Sequence, residues 1–256
     1  MKKINNFEEL NKLISAHLKK GVYTNCFISK EEFEQEIKSE SLFYHIYGGG
    51  LLIFRKMEDY YKMNFYINNP EIDLDINFEN ILVTEVVCKP ETECDNIIEL
   101  FEKNGMSLKL KRVRLLNDSN NVGLNNINVE KANLKDYEKI IKLFEENFDK
   151  YIGCIPTKQK LIADIKKGNF YCYKENEKIL GVLHIDNKAN IKHLAVDSDF
   201  RGKGIAKAIL GKYLLDAGEC KKYVWTGEDN DAAKKTYLSM DYKLDGYVSY
   251  VLTNNV

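Results

Sequence analysis

One short stretch in the second half of the sequence constrains the fold more than any other. An apolar run at 191–196 leads into a turn that contains Gly202 and Gly204, and a helical pattern starts at about Ile205. Glycine lets the backbone approach a ligand because it has no Cβ, and the first amides of a helix point at one spot with the positive end of the helix dipole behind them. A strand, a glycine turn and a helix in this order predict a site for a pyrophosphate.

Two familiar phosphate-binding patterns do not describe this stretch. The Walker pattern requires GxxxxGK followed by Ser or Thr, and the dinucleotide pattern requires GxGxxG. The stretch instead satisfies (Q/R)xxGx(G/A) through Arg201, Gly204 and Ala206, and it resembles the acetyl-coenzyme A signature of the GNAT (Gcn5-related N-acetyltransferase) superfamily. Taken alone, the hexapeptide is also compatible with an ordinary strand-to-helix turn. Arg201 and Lys203 could add charge for the ligand, or Arg201 could brace the loop.

The sequence that follows extends this resemblance. Residues 224–242 predict a strand and a helix similar to the GNAT stretch Asn-xx-Ala-xxx-Tyr, with Asn230, Ala233 and Tyr237 at the matching positions. The next turn has Asp-Tyr at 241–242 where the family usually has Gly-Phe, which is a conservative change that leaves the site intact.

The resemblance covers about residues 128–252 and implies direct transfer of an acetyl group from acetyl-coenzyme A to an amine in a ternary complex. It implies that the backbone at 194–196 meets the pantetheine arm and thioester, that the amides at 202–206 hold the pyrophosphate, and that Asn230 and Ala233 line the pantetheine. The residues assigned to coenzyme binding are Leu194, Ala195, Val196, Arg201, Gly202, Lys203, Gly204, Ile205, Ala206, Asn230, Ala233 and Tyr237. The alternative is a sensor that binds acyl-coenzyme A without turnover.

Tyr237 is the general acid that the resemblance implies. A departing thiolate has a thiol pKa of about 8.5, and a phenol with a pKa of about 10 can hand it a proton. The base stays open. His193 titrates in a useful range and is a candidate base or relay, and Glu228 and Asp229 follow the next strand, but each could equally be a structural or solvated residue.

Hydrophobic periodicity predicts the elements of the second half. These are helices at 134–149 and after Pro156, strands at 170–173, 179–185 and 191–196, a helix from Ile205, a strand at 223–226, a helix at 231–239 and two closing strands within 242–252. The expected fold class is mixed α/β (α+β), namely the GNAT acyltransferase fold with a central mixed, mostly antiparallel sheet flanked by helices.

The first half resembles a degenerate copy of the same fold. Its predicted elements are helices at 7–18 and 30–38 and strands at 42–47, 51–57, 60–67 and 81–87, with a hairpin turn at 48–50. Phe101 stands where Tyr237 stands in the second half, and no RxxGxG loop lies between Ile67 and Ile81. This half is therefore expected to be non-catalytic, which leaves one active site per chain. An unrelated α+β domain is the alternative.

A polar, asparagine-rich segment separates the two halves. It predicts three parts: a degenerate domain at 1–117, a linker at 118–127 and a catalytic domain at 128–256.

Composition and charge argue against several classes of protein. A net charge of −1 gives no bulk electrostatic case for nucleic acid or an anionic membrane. No segment approaches the roughly 20 apolar residues of a membrane span, and the N-terminus has no apolar signal-peptide core, so we expect a cytoplasmic protein. Six cysteines without a CxxC pair predict free thiols and no metal. Abundant Lys, Asn and Ile with three prolines are typical of AT-rich bacterial genes.

The acceptor is expected to be the amine of a small molecule or a peptide, bound by a monomer or a homodimer. The loop at 151–156 and the aromatic residues Tyr247 and Tyr250 are expected to border its pocket.

Overall fold

Helices and strands alternate along the part of the chain that the computed structural model describes, which comprises residues 1–74, 78–119 and 126–254. The helices are α1 (Phe7–His17), α2 (Lys30–Lys38), α3 (Asp95–Lys103), α4 (Tyr137–Asn147), α5 (Lys158–Lys166), α6 (Ile205–Ala217) and α7 (Asp231–Leu238). The strands are β1 (Lys2–Lys3), β2 (Tyr23–Thr24), β3 (Leu42–Tyr47), β4 (Gly50–Lys56), β5 (Tyr60–Ile67), β6 (Ile81–Cys88), β7 (Ser107–Asn117), β8 (Val129–Lys131), β9 (Phe170–Glu175), β10 (Lys178–Ile185), β11 (Ile191–Val196), β12 (Lys222–Gly227) and β13 (Lys243–Thr253).

Polar side chains mark the starts of several helices. Asn6, Ser29 and Thr157 precede α1, α2 and α5, and each side-chain oxygen accepts a hydrogen bond from the amide three residues later. Such caps satisfy amides that the first helical turn leaves unpaired. The helix starts expected near residues 7, 30 and 157 therefore follow from local sequence.

Two expectations for the second half need correction. The two closing strands predicted within 242–252 are wrong, because the single strand β13 runs through this segment. Gly246 has a φ of 82° within it, and glycine accepts this local kink without ending the strand. The sequence also missed β8, whose three residues are too few to show a period.

Contacts divide the chain into two compact units. The first unit is Met1–Lys111 together with Tyr247–Val256, and the second unit is Arg112–Gly246. These bounds differ from the sequence-based boundary at 117, because the division falls inside β7 and β13 rather than at the polar segment. Residues 120–125 of the predicted linker lie outside the described part of the chain.

The first unit is a mixed sheet with helices on both faces. Its strands follow the order β1-β3-β4-β5-β6-β13, in which β5 and β6 are parallel and the other neighbours are antiparallel. Alternate residues of β4 face opposite sides. Leu51 and Ile53 pack in one cluster with Leu10 of α1, whereas Leu52 packs in another with Phe101 of α3. Gly48 and Gly49 form the predicted hairpin turn between β3 and β4, and Gly50 is already the first residue of β4, paired with Tyr47.

The amide of Asn25 fills the point where the parallel strands β5 and β6 separate. Pairing between the two strands runs as far as Met63 and Thr84. Asn25 Nδ2 then donates to the carbonyl oxygens of Met63 at 3.2 Å and Glu85 at 2.9 Å, and its Oδ1 accepts from the Phe65 amide at 3.0 Å. One side chain thus replaces the missing ladder bonds of both strands.

We expect Asn25→Ala to lower the free energy of unfolding by about 2 kcal/mol, because it leaves backbone groups of two strands without partners. Asn68→Ala is the matched control, since the exposed Asn68 donates a single bond to the His17 carbonyl, and it should cost less than about 0.5 kcal/mol. Chemical denaturation of both variants checks this, and equal losses would contradict the role of Asn25.

The second unit is also a mixed sheet between helices. Its strands follow the order β7-β12-β11-β10-β9-β8, with residues 112–117 of β7 paired antiparallel to β12 and with β11 parallel to β12. Helices α4 and α5 pack on one face through Phe144 and Leu161, and α6 packs on the other through Ile209. The predicted fold class, mixed sheets flanked by helices, is confirmed.

The cysteines do not all remain free thiols as predicted. A disulfide joins Cys88, at the end of β6, to Cys94, just before α3. The two residues are six positions apart and their Cα atoms are 6.0 Å apart, which the turn between strand and helix brings within bridging range. The other four cysteines form no disulfide. Sequence spacing missed this pair because it has neither a CxxC spacing nor a framework of several bridges.

Within residues 1–74, 78–119 and 126–254, no helix combines the length and the apolar character that crossing a membrane requires. Within the same ranges, no group of three or more His, Cys, Asp or Glu side chains is arranged to hold a metal ion.

Candidate functional site

The predicted glycine loop connects β11 to α6 in the second unit. After β11, Asp197 Oδ1 accepts from the Asp199 amide at 3.1 Å and caps a short 3-10 turn. Gly202 and Gly204 then adopt φ values of 78° and 83°, in the left-handed region that disfavours other residues. Gly204 occupies the N-cap of α6 and brings no capping side chain. The first amides of α6 are therefore left for a ligand.

Arg201 braces this loop. Its Nη2 donates to Asn147 Oδ1, at the end of α4, at 2.7 Å, and its Nε lies 3.4 Å from the carbonyl oxygen of Val196. Of the two roles left open by the sequence, the structure therefore shows the bracing one. Asn147 was missed because nothing in a helix-terminal asparagine points to a loop 54 residues away.

Basic side chains flank the loop. The ammonium groups of Lys203 and Lys178 lie 4.5 and 4.6 Å from the centre of the Phe200 ring, and Lys178 also pairs with Asp197 at 3.1 Å. Positive charge beside an uncapped helix start favours an anionic ligand.

Gly181 of β10 lets α6 pack closely against the sheet. A Cβ at this position would lie 2.8 Å from Ile205 Cγ2 and 2.9 Å from Ile209 Cδ1, which is closer than atoms normally approach. The start of α6 thus depends on a glycine that the sequence analysis did not single out. An isolated glycine in a strand pattern is the signal that could have found it.

The parallel strands β11 and β12 are paired at Ile191 and Val224, and the rest of β11 continues beyond that pairing. Leu194 and Val196 pack with the cluster that contains α6, whereas His193 and Ala195 lie on the face of α4. The backbone of 194–196 therefore continues past this pairing toward the glycine loop, and its contact with a coenzyme stays a prediction.

Helix α7 carries the other predicted coenzyme residues. Asn230 is its N-cap, and its Oδ1 accepts from the Ala233 amide at 3.0 Å. Tyr237 lies on the same helix, is 4% exposed, and packs with its ring centre 5.5 Å from that of Tyr242. Burial raises the pKa of the Tyr237 phenol, so this hydroxyl keeps its proton at neutral pH.

The three candidate bases occupy different surroundings. His193 is 4% exposed, and its Nε2 lies 2.9 Å from the Gly153 carbonyl oxygen while its Nδ1 lies 3.2 Å from His184 Nδ1. Glu228 and Asp229 are exposed in the turn after β12. His193 is thus part of a buried polar chain, which the sequence analysis did not foresee.

Residues expected to border the acceptor lie in both units. The loop at 151–156 joins α4 to α5 in the second unit, and Tyr247 and Tyr250 lie on β13 in the first unit. Their role at an acceptor pocket stays a prediction.

Comparison with known proteins identifies the family. Residues 129–250 match the family model described as the acetyltransferase (GNAT) domain, and this part of the chain belongs to the GNAT family. The match includes the glycine loop, α7 and Tyr237. A search of curated proteins found no match.

Solved structures extend the likeness to the rest of the chain. A GNAT-family acetyltransferase from Colwellia psychrerythraea aligns at a TM-score of 0.55 and 16% identity, over 98% of this chain and 98% of that one. A GCN5-related N-acetyltransferase from Sphaerobacter thermophilus gives 0.57 and 11%, over 80% and 76%. One from Kribbella flavida gives 0.57 and 11%, over 85% and 91%. At these identities the likeness shows the fold alone, and it confirms that the first half also aligns with a GNAT fold.

We expect Gly204→Ala to weaken coenzyme A binding by about five- to thirtyfold, because a left-handed residue with a Cβ costs about 1–2 kcal/mol of strain where the α6 amides must be presented. Gly21→Ala is the control. Gly21 has a φ of 84° with open space around a Cβ, so it carries the same strain in the first unit. Calorimetry should show weaker binding for the first variant and unchanged binding for the second. Equal affinities in the two variants would contradict this assignment.

Proposed function

We propose that this protein is an N-acetyltransferase that moves the acetyl group of acetyl-coenzyme A directly to an amine in a ternary complex. The observation that carries the proposal is the start of α6, left uncapped behind two left-handed glycines and located within the GNAT-matching residues. Such a helix start suits the pyrophosphate of coenzyme A, and no metal is needed for the transfer.

In the proposed reaction, the neutral amine attacks the thioester carbonyl beside 194–196 and forms a carbon–nitrogen bond. The carbon–sulfur bond then breaks, the leaving sulfur takes a proton from the Tyr237 hydroxyl, and the surplus proton of the amine passes through water or a relay and restores that hydroxyl. Burial raises the pKa of Tyr237, which keeps the hydroxyl protonated at neutral pH; because a thiolate is a weaker base than a phenolate, the proton moves to sulfur only as the carbon–sulfur bond breaks and the amine's proton restores the phenol. His193 remains the proposed relay rather than an exposed base, since both its ring nitrogens already have close partners.

The first unit is proposed to be non-catalytic. In the second unit the parallel strands lead to a glycine loop, whereas in the first unit Asn25 occupies the separation between β5 and β6. Phe101, at the position that corresponds to Tyr237, has no hydroxyl to donate. The chain would therefore hold one active site, with an acceptor that is a small-molecule or peptide amine.

A thiol-release assay across amino acids, polyamines, aminoglycosides and peptide N-termini tests the function, together with calorimetric titration of acetyl-coenzyme A. Binding together with release of free coenzyme A in the presence of one acceptor class supports the transferase. Binding without release for every acceptor would instead indicate a sensor of acyl-coenzyme A, and no binding would reject both.

A further inference from the structure

A chain of polar contacts crosses the face of the second unit's sheet that α4 and α5 cover. Asp164 Oδ2 of α5 lies 3.2 Å from His184 Nε2, and His184 Nδ1 lies 3.2 Å from His193 Nδ1. His193 Nε2 in turn lies 2.9 Å from the carbonyl oxygen of Gly153. The three side chains are 3–5% exposed, so water cannot readily replace a broken contact.

The protons in this chain can be counted. Each of the three contacts needs one hydrogen, because a carbonyl, a carboxylate and an unprotonated ring nitrogen only accept. Two neutral imidazoles bring two hydrogens in total, and an ionised Asp164 brings none. All three contacts can therefore exist together only when the chain holds one further proton, shared among Asp164, His184 and His193.

The surroundings determine when that proton is held. Phe144 and Phe148 of α4 and Phe170 of β9 pack against the two rings. The charged groups that face the chain are Lys160, Lys167 and Lys192. Burial lowers the pKa of His184, although the hydrogen bond to Asp164 opposes this. Burial opposes charge on Asp164, but the bond from His184 and the nearby Lys160 hold the pKa of that carboxyl below its usual value.

These shifts fix the sign of the pH dependence. The state with all contacts holds one proton more than the state in which His184 is neutral and Asp164 ionised, so it is favoured as pH falls. Since the pKa of His184 is lowered, the midpoint of the transition between these two states should lie below the ordinary histidine pKa of about 6.5. At higher pH one contact must open; Gly153 is half-buried whereas Asp164 and His184 are buried, so water can replace His193 at the Gly153 carbonyl and this contact opens first.

The loop at 148–157 has two neighbouring attachments of different kinds. Arg112 Nη2 donates to the Ile152 carbonyl oxygen. His193 Nε2 reaches the next carbonyl, that of Gly153. The Gly153 amide also donates to the Asp149 carbonyl oxygen at 2.9 Å, which closes the turn at 149–153.

We propose that Asp164 and His184 are positioning residues that fix the loop at 148–157 through His193. These three side chains form a clamp, which closes on the Gly153 carbonyl only when they together bind one extra proton. This inference rests on the proposed function where it concerns the acceptor: His193 neighbours Leu194, beside the proposed thioester position, so the loop that it fixes lies next to the reacting end. The clamp itself requires no catalysis.

Asp164→Asn tests the clamp directly because an amide can donate a hydrogen bond and an ionised carboxylate cannot. The side-chain NH₂ that this substitution introduces would donate to His184 Nε2, so two neutral imidazoles then suffice for all three contacts and the clamp stays closed at every pH. In the wild type, protection factors for amide exchange at 149–155 should fall between pH 5 and 8, and the imidazole ¹⁵N shifts should change at the same midpoint. Glu145→Gln, an exposed carboxylate on α4, makes the same charge change and should keep the transition.

The test has distinct outcomes. A pH-dependent loss of loop protection in the wild type and in Glu145→Gln, with none in Asp164→Asn, supports the clamp. A flat wild-type profile, or a transition that persists in Asp164→Asn, overturns it. The ¹⁵N and exchange measurements on the wild type decide the point even if Asp164→Asn does not fold.

Kinetics connects the clamp to turnover. The ratio of the acceptor KM of the wild type to that of Asp164→Asn should rise by about threefold or more from pH 5.5 to pH 8, because the closed fraction of the wild type falls. The same ratio for the KM of acetyl-coenzyme A should not change. An acceptor ratio that does not change with pH would remove the loop from acceptor positioning. If no acceptor is ever acetylated but the exchange transition is present, the proposed function fails and the clamp stands.

Discussion

Replacing Tyr237 by phenylalanine should lower the turnover number by about tenfold or more while leaving the affinity for acetyl-coenzyme A nearly unchanged. The phenylalanine ring fills the same buried space, so packing against Tyr242 is kept. What is lost is the hydroxyl hydrogen, which the leaving thiolate needs as the tetrahedral intermediate collapses. An interaction made only in the transition state affects the turnover number rather than substrate binding.

Tyr242→Phe provides a matched control for this substitution. The two rings are neighbours, both are buried, and the Tyr242 hydroxyl has no hydrogen-bond partner among the described residues. Removing that hydroxyl should leave the turnover number unchanged and should not lower the free energy of unfolding. Steady-state rates from thiol release, with calorimetric affinities, compare the two variants. If Tyr237→Phe turns over as fast as the wild type, Tyr237 has no part in proton transfer.

The glycine loop could be predicted from sequence because each of its signals is local. Gly202 and Gly204 are needed for left-handed backbone at their own positions, and Ile205 begins a helix with its own apolar period. The N-caps Asn6, Ser29 and Thr157 are local in the same sense. Where a residue's conformation is determined by itself and its near neighbours, the sequence contains the answer.

The buried clamp depends on long-range register instead. His184 and His193 meet because β10 and β11 pair antiparallel with these two residues opposite each other. Asp164 then reaches them from α5, a helix on which a polar residue would normally be expected to face water. Two histidines on the consecutive predicted strands 179–185 and 191–196 were visible in the sequence. The strand register and the position of Asp164 on α5, which bring the three side chains into contact, were not visible in the sequence.

The division of the strands between the two units could not be predicted for a related reason. Periodicity can mark a segment as a strand, but it does not show which strands that segment pairs with. Residues 112–117 pair with β12 of the second unit, and residues 248–253 pair with β6 of the first. Tertiary packing selects the partner strand when the candidates are far apart in sequence, and the pattern of a single strand does not predict that selection.

A fragment of residues 112–246 should be soluble and should bind coenzyme A, whereas a fragment of residues 118–256, cut at the sequence-based boundary, should aggregate. The second fragment lacks 112–117, which pair with all six residues of β12. It therefore exposes the edge of β12, and an unpaired strand edge promotes association between chains. Leu115, fully buried in the core around α6, is lost as well.

The additional C-terminal residues 247–256 should lower the solubility of the second fragment further. Residues 248–253 pair with β6, which neither fragment contains, and Val251 and Leu252 are buried in the intact chain, so the tail would present apolar side chains to water. The first fragment keeps the bond from Asn117 Nδ2 to the Met240 carbonyl at 2.9 Å and the pair of Arg114 with Asp245 at 2.7 Å. Size-exclusion chromatography and calorimetry on both fragments measure the difference. Equal solubility and affinity would mean that the strand of residues 112–117 is dispensable, and the polar segment would then be the true domain boundary.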